Sequence, residues 1–246
     1  MMKNAAAYLC VGALLLLCGC GAEVSLRKGD QSYALGEYQE AAAKYKKAYT
    51  GLSSDEKDLR AETAFKLGEC YRRTNYVPRA LAAYRNAVRY KYPDSIVYRH
   101  LADMLRRSGN VKEAVQNYEI ALQYDSTDVL ARNGLESCAL TSDWKDNPTR
   151  FIVKKDAIMN GRQSDWSPVY GSAEYDQLYF TSTRKECTGD DINGITGMKS
   201  CDIFVSRKDE KGNWQKPEPI EGGPNTVFED GSCAFSPDFQ TMYLTY

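Results

Sequence analysis

A pattern of small and aromatic residues recurs every 34 positions in the first half of the chain. Within each set the residues are spaced three or four apart, which places them on one face of a helix. Small residues allow two helices to approach closely, and the tyrosine between them fills the remaining space. The pattern therefore predicts paired helices that repeat along the chain. The two most similar sets are Ala80, Tyr84 and Ala87, and then Ala114, Tyr118 and Ala121.

A period of 34 residues is that of the tetratricopeptide repeat (TPR), a helix–turn–helix unit. Aligned on this period, the chain contains three units, over residues 22–59, 61–94 and 95–128. The first has a longer loop at Gly51–Asp55, and Val129–Leu140 continues the apolar spacing as a capping helix. Three units and a cap can bury a continuous core, so we predict an all-α TPR solenoid over residues 20–141. Such arrays hold other proteins on an extended surface.

The composition changes after Thr141, and strand patterns replace the helical ones. We expect a linker and a first strand over residues 142–164, where Phe151–Val153 is apolar. Over residues 165–246 we expect one β-propeller blade and part of a second, because a blade has four strands. The fold class is thus α+β multidomain, a TPR solenoid followed by an incomplete β-propeller segment. The expected segments are the aromatic-Ser-Pro turns Trp166–Pro168 and Phe235–Pro237, and the strands Leu178–Ser182, Asp202–Ser206, Trp214–Ile220 and Met242–Tyr246. Since a propeller needs at least four blades, we expect the sequence to be part of a longer protein.

The segment 1–19 is predicted to be a lipoprotein signal peptide. Ala5–Leu17 is apolar but too short to span a bilayer comfortably. The residues Leu17-Cys18-Gly19-Cys20 that follow resemble a bacterial lipobox, which implies cleavage before Cys20 and its acylation. An ordinary secretory signal is the alternative. Gly21 after the anchor, in place of Asp, favours the outer membrane. The next residues, Ala22-Glu23-Val24, lack an acidic cluster that would indicate surface export, which favours the periplasmic face.

Charge and cysteine content narrow the possible functions. The formal net charge is −1, so we expect no nucleic-acid partner. Cys187 and Cys201 flank a loop rich in Gly and Asp and are the candidate disulfide pair. With no C-x-x-C motif and His100 as the only histidine, we expect no metal site and no cofactor. We expect His100 to be a packing or surface residue. No G-x-S-x-G motif is present, and we expect no enzymatic activity.

Charged residues also recur at the 34-residue period, on the helices that should line the concave face. Stacked units would place arginines in a row suited to binding carboxylates. In the alternative, each acid pairs with the arginine four residues later on a solvated face. The candidate groove residues are Glu69, Arg72, Arg73, Asp103, Arg106 and Arg107.

The order of lipobox, TPR units and blade-like strands resembles OmpA-family outer-membrane lipoproteins of the Bacteroidetes, in particular those of type IX secretion. The resemblance implies an outer-membrane scaffold that binds envelope or secretion-system proteins. It also implies that peptidoglycan is bound only by a C-terminal domain that is not in this sequence. The alternative is a periplasmic propeller sensor that binds calcium or a cell-wall saccharide through Lys185–Ser200. In that loop Asp190, Asp191 and Asn193 could supply oxygen ligands.

Overall fold

A computed structural model describes residues 21–245, except for the side chain of Ser142. Cys20 and the predicted signal peptide lie outside the described residues. The chain divides into two compact units. One is helical and comprises residues up to Thr149 with Gly194–Thr196; the other contains the strands and comprises Arg150–Asn193 and the residues from Gly197 onward. Over residues 21–245, none of the helices has the length and apolar character to cross a bilayer.

The helical unit consists of successive helix pairs closed by a longer helix, as the 34-residue period predicts. The last helix begins at Val129 as expected, but it continues beyond Leu140, to Asp146. The helices are α1 (residues 21–34), α2 (Tyr38–Gly51), α3 (Lys57–Arg73), α4 (Val77–Arg89), α5 (Ile96–Arg107), α6 (Val111–Tyr124) and α7 (Val129–Asp146). The additional residues of the first unit form the loop between α2 and α3. This array of three TPR-type units and a cap confirms the predicted architecture of the first half.

The turn within each unit contains one residue in the left-handed region. Gly36, Asn75 and Gly109 occupy equivalent places, with φ of 79°, 60° and 82°. Glycine and asparagine adopt this conformation most readily, and they end a helix by redirecting its backbone. The amide of Tyr76 then donates to the carbonyl of Tyr71 at 2.8 Å, which closes the second turn. Each pair of helices is therefore joined with the same geometry.

Glycines in the first helices allow the tyrosines of the second helices to pack against the backbone. A Cβ at Gly68 would lie 2.6 Å from Cε1 of Tyr84, and a Cβ at Gly29 would lie equally close to Tyr45. Tyr45, Tyr84 and the equivalent Tyr118 are fully buried. The core of the helical unit is thus built on the small and aromatic positions that the sequence repeats.

The strand-containing unit has two small antiparallel sheets. Four strands follow one another in the order β1-β2-β3-β4, and β5 pairs with β6. The strands are β1 (Asp165–Tyr170), β2 (Gln177–Ser182), β3 (Asp202–Arg207), β4 (Glu218–Pro219), β5 (Gly231–Phe235) and β6 (Met242–Thr245). The expected strands at 178–182 and 202–206 are present, and the one expected at 242–246 is present over Met242–Thr245, the part that the structure describes. Of the expected run at 214–220, only the two residues of β4 pair as a strand.

Two expectations for this unit are wrong. Phe151–Val153 is not a strand, and its side chains are 70–94 % exposed. Trp166–Pro168 is not a turn, because it lies within β1, where the pairing register shifts at a β-bulge. Ser167 adopts a φ of 52° there, and proline is tolerated at a bulge because that position needs no ladder hydrogen bond.

The strand β5 is irregular in the same way as β1. Ser232 has a φ of 47° and lies at the register shift of β5. The hydroxyls of Ser167 and Ser232, 65 positions apart in sequence, are 3.1 Å apart in space. Both β1 and β5 are therefore irregular at a serine with a positive φ, and these two serines lie side by side.

Candidate protein-binding groove

Each helical unit contains an acid–tyrosine hydrogen bond between its two helices. The acid lies on the first helix and the tyrosine on the second, with a sequence separation of 15 in every unit. We call each acid with its partners a rung. The tyrosine hydroxyl donates at 2.5–2.7 Å in all three units. The pairs are Asp30 with Tyr45, Glu69 with Tyr84, and Asp103 with Tyr118.

Basic side chains from the following unit reach the first two of these acids. Lys66 Nζ lies 2.8 Å from Asp30 Oδ1, and His100 Nδ1 lies 2.6 Å from Glu69 Oε1. Lys66 and His100 are separated by one repeat period, so they are equivalent positions. The next equivalent position is Gly134, where a Cβ would lie 2.3 Å from Cζ of Tyr118. The third rung therefore has no cation from the following helix.

Glu69 is the most heavily bonded of the three acids. Arg72 donates to both of its oxygens, at 3.1 and 2.6 Å, in addition to the contacts with Tyr84 and His100. Only 7 % of Glu69 is exposed. Burial acts to raise the pKa of Glu69, but the neighbouring His100 and Arg72 outweigh it, and the pKa lies well below its usual range. The contact of Glu69 with His100 thus joins the second and third units, while Arg72 holds Glu69 from the same helix.

The two arginines that follow Arg72 and Arg106 in sequence have neutral partners. Arg73 donates to the hydroxyls of Tyr33 and Tyr38, at 2.9 and 3.4 Å, and lies over both rings. Arg107 donates to Asn75 Oδ1 at 2.8 Å. The alternative pairing of Glu69 with Arg73 and of Asp103 with Arg107 is therefore wrong. The carboxylate of Glu69 pairs instead with the arginine three residues later.

The remaining candidate residues belong to the third rung. Arg106 donates from Nε to the hydroxyl of Tyr118 at 3.3 Å, and that hydroxyl donates to Asp103. Asp103 is only partly buried and Arg106 is exposed. The six predicted residues therefore do not form one row. Glu69 is buried and Arg72 is half-buried, while Arg73, Arg106 and Arg107 remain accessible.

A groove of about 310 Å³ opens between the first helices of units one and two. Its lining has three aromatic residues, one cation and two acids. Phe65, on one wall, stacks on Tyr92 with ring centroids 4.2 Å apart, so it is held rigidly. The lining residues are Asp30, Tyr33, Tyr45, Phe65, Lys66 and Glu69. Such a surface can receive an apolar side chain of another protein and can also offer it hydrogen bonds.

His100 makes a contact that its sequence context did not predict. It is buried, it stacks on Phe65 with a centroid distance of 6.0 Å, and it contacts Glu69. The available signal was that His100 repeats the position of Lys66 one period later, with an acid at the matching place of each preceding unit. His100 packs in the core, which was one of the two expectations, but it also links two units through a carboxylate.

The loop of the strand-containing unit contains the candidate disulfide pair and the residues of the alternative calcium site. Cys187 and Cys201 are buried free thiols, so the predicted bridge is absent from the structure. Burial, with nearby acidic groups, raises the pKa of Cys187 to about 11 and of Cys201 to about 12. The ammonium of Lys199 donates to Asp190 Oδ1 and to the carbonyls of Lys185 and Cys187. Lys199 thus contacts one of the three residues considered as calcium ligands, Asp190.

Residues 21–245 contain no group of three or more His, Cys, Asp or Glu side chains arranged to hold a metal ion. The predicted lipidation site at Cys20 lies outside the described residues.

No protein-family model matches the sequence, and no curated protein matches it. Solved TPR domains are similar to part of the chain. The first TPR of Spaghetti (RPAP3), bound to HSP90 peptide SRMEEVD, is 20 % identical, with 51 % of this chain and 95 % of that chain covered and a TM-score of 0.44. The type III secretion chaperone SycD of Yersinia enterocolitica, in complex with a peptide of the translocator YopD, is 17 % identical. The match covers 49 % of this chain and 93 % of that chain, with a TM-score of 0.42. The Sgt2 TPR domain of Aspergillus fumigatus is 14 % identical. The match covers 57 % of this chain and 91 % of that chain, with a TM-score of 0.43.

Proposed function

We propose that the chain is a non-enzymatic scaffold that holds other envelope proteins through the groove of its helical array. The observation that carries this proposal is the groove lined by Tyr33, Tyr45 and Phe65. Its rings are fixed by the packing of the helices, so a partner side chain can bind without first ordering them. Burying one large apolar side chain there would contribute about 2 kcal/mol to binding.

The same proposal places the scaffold on the periplasmic face of the outer membrane. The lipobox at Leu17–Cys20 supports this location, because acyl chains on Cys20 would provide durable anchoring. Helix α1 is already formed at residue 21, so the array would begin directly at the anchor. The scaffold would then act in envelope or secretion-machinery assembly, as the resemblance to OmpA-family lipoproteins implies.

We assign the strand-containing unit to a propeller blade and the start of a second blade. The sequential four-stranded antiparallel order supports this assignment. The matching bulges of β1 and β5 support it further, because equivalent strands of successive blades should share such irregularities. In this function the blades would provide a second surface for protein partners.

A quantitative capture experiment tests the role of the groove. The full chain, solubilised in detergent, is used to capture envelope proteins, and each captured protein is identified and quantified. Tyr33→Ala removes one wall of the groove, and Tyr124→Ala is the matched control at an exposed position on α6. We expect Tyr33→Ala to reduce capture of specific envelope proteins about tenfold and Tyr124→Ala to leave it unchanged. Equal capture by both variants would exclude the groove as the binding site.

A further inference from the structure

One edge of the helical array, where the helices of each unit turn, carries exposed basic side chains in the second and third units. We call this the turn edge and define it by the residues flanking Asn75 and Gly109. Each of these turns has one arginine two residues before its apex and another cation shortly after it. The four side chains are Arg73, Arg79, Arg107 and Lys112, and all are exposed.

The arginines of the turn edge are oriented by neutral groups. Arg73 lies over the rings of Tyr33 and Tyr38, as described above. Arg79 lies 5.7 Å from the ring centre of Tyr71 and 5.1 Å from that of Tyr76. Aromatic rings and hydroxyls restrict a guanidinium without cancelling its charge. The rotamer entropy that an exposed arginine loses on binding a carboxylate is therefore already partly lost in the free protein.

Acids of the chain do not neutralise the turn edge. Arg73, Arg79, Arg107 and Lys112 take part in none of the ion pairs formed within residues 21–245. Glu113, which follows Lys112 in sequence, forms an ion pair with Arg85 at 2.8 Å and accepts a hydrogen bond from Asn110 at 2.7 Å. The basic character is confined to these two units, since the first turn is followed by Glu37 and Glu40.

The position of the turn edge favours a protein partner over the lipid surface that would anchor the chain. The described part of α1 runs from residue 21 to the first turn at Gly36, and its 14 helical residues are about 21 Å long. A tether at Cys20 would therefore attach at the opposite edge of the array. The guanidinium groups of the turn edge would be separated from that membrane by the length of a helix.

We propose that the turn edge binds an acidic segment of a partner protein, with Arg73 and Arg107 each gripping a carboxylate. This deepens the scaffold function and rests on it, and the turn edge adjoins the aromatic groove at Tyr33, whose hydroxyl accepts from Arg73. Arg73 and Arg107 are equivalent residues of adjacent units, so a segment running along the edge would meet them in succession. The planar guanidinium donates two parallel hydrogen bonds to a carboxylate, which suits glutamate and aspartate side chains.

The test measures binding of a fluorescent octa-glutamate peptide to the full chain in detergent. The variant Arg73→Gln/Arg107→Gln removes two charges from the turn edge. The matched control Arg89→Gln/Arg132→Gln removes two exposed arginines near the opposite edge, where α4 ends and α7 begins. We expect the first variant to weaken binding about tenfold and the control less than twofold, because the carboxylate contacts are local. Raising the ionic strength should weaken wild-type binding.

Three results would overturn the inference. The first is the absence of peptide binding, and the second is an equal loss of peptide binding in both double variants. The third is that the wild type binds phosphatidylglycerol vesicles in preference to the peptide, and that this preference depends on Arg73 and Arg107. The last two would indicate, respectively, a net-charge effect and a lipid-binding edge. If one of these occurs while Tyr33 still controls capture of envelope proteins, the scaffold function stands and only the turn-edge inference fails.

Discussion

Replacing the acid of each rung by alanine should destabilise the helical unit in the order Glu69, Asp30, Asp103. Glu69 contacts Tyr84, Arg72 and His100 within about 3 Å and is almost fully buried. Asp30 contacts two side chains, and 45 % of its own side chain is exposed. Asp103 accepts from Tyr118 alone. The same substitution at three equivalent positions therefore removes different numbers of contacts.

The expected magnitudes follow from these contacts. A hydrogen bond to a charged group contributes about 1.5 kcal/mol to stability, and an orphaned buried partner adds a similar cost. Glu69→Ala should thus lower the free energy of unfolding by about 4 kcal/mol, in the range known for breaking a buried ion pair. Asp30→Ala should cost about 2 kcal/mol, because solvent screens the exposed Lys66 pair. Asp103→Ala should cost about 1.5 kcal/mol.

Urea unfolding followed by the helical circular-dichroism signal measures these differences. Glu119→Ala, at an exposed position on α6, is the control and should leave the free energy of unfolding within about 0.5 kcal/mol of the wild type. Equal losses of unfolding free energy on substitution of Glu69, Asp30 and Asp103, or a larger loss at Asp103 than at Glu69, would show that the contacts between units do not add stability.

Three further outcomes follow from the same structure. Gly68→Ala should lower the free energy of unfolding by about 1–2 kcal/mol, because the new Cβ would collide with Tyr84 and the cost of that collision exceeds the gain in helix propensity from alanine. Urea unfolding measures this change, and a gain in stability would contradict the prediction. Because the pKa of Glu69 is lowered by folding, its stabilisation is complete above its unfolded-state pKa of about 4.3 and is lost as the pH falls below that value. The unfolding midpoint should therefore fall more steeply between about pH 5 and pH 3 in the wild type than in Glu69→Gln, and parallel profiles would exclude this carboxylate as a source of acid sensitivity. Cys20→Ala should move the chain from the membrane fraction to the soluble periplasm and abolish labelling by radioactive palmitate; unchanged fractionation would exclude a lipid anchor at that residue.

The helical half could be predicted from sequence because its determinants are local. Gly68 and Tyr84 meet within one helix pair, and their spacing already requires a small residue opposite a ring. The contact of Glu69 with His100 could not be assigned so directly, because it joins two units and depends on how they are rotated against each other. Arg72 and Arg73 show the same limit. They are adjacent in sequence, yet Arg72 is half-buried and pairs with Glu69, whereas Arg73 is exposed and lies on tyrosine rings.

The strand-containing half was predicted less accurately because its pairing is not local. Alternating aromatics identified β2 and β6, whose side-chain period is intrinsic to a strand. The Ser-Pro motif was ambiguous, since Pro168 lies in a bulged strand and Pro237 lies in a turn. Phe151–Val153 has strand composition, but a strand also needs a neighbour with which to pair. Similarly, the bridge between Cys187 and Cys201 was proposed from spacing alone, which does not determine side-chain geometry.

Site-specific photo-crosslinking tests most directly whether the groove of the helical array is the binding surface. A photoreactive phenylalanine is introduced at position 33 in the groove or, as the control, at position 124 on the exposed end of α6. The account predicts a discrete crosslink from position 33 to an envelope protein in intact cells, and none to that protein from position 124. Crosslinks of equal yield from both positions, or none from position 33, would contradict it.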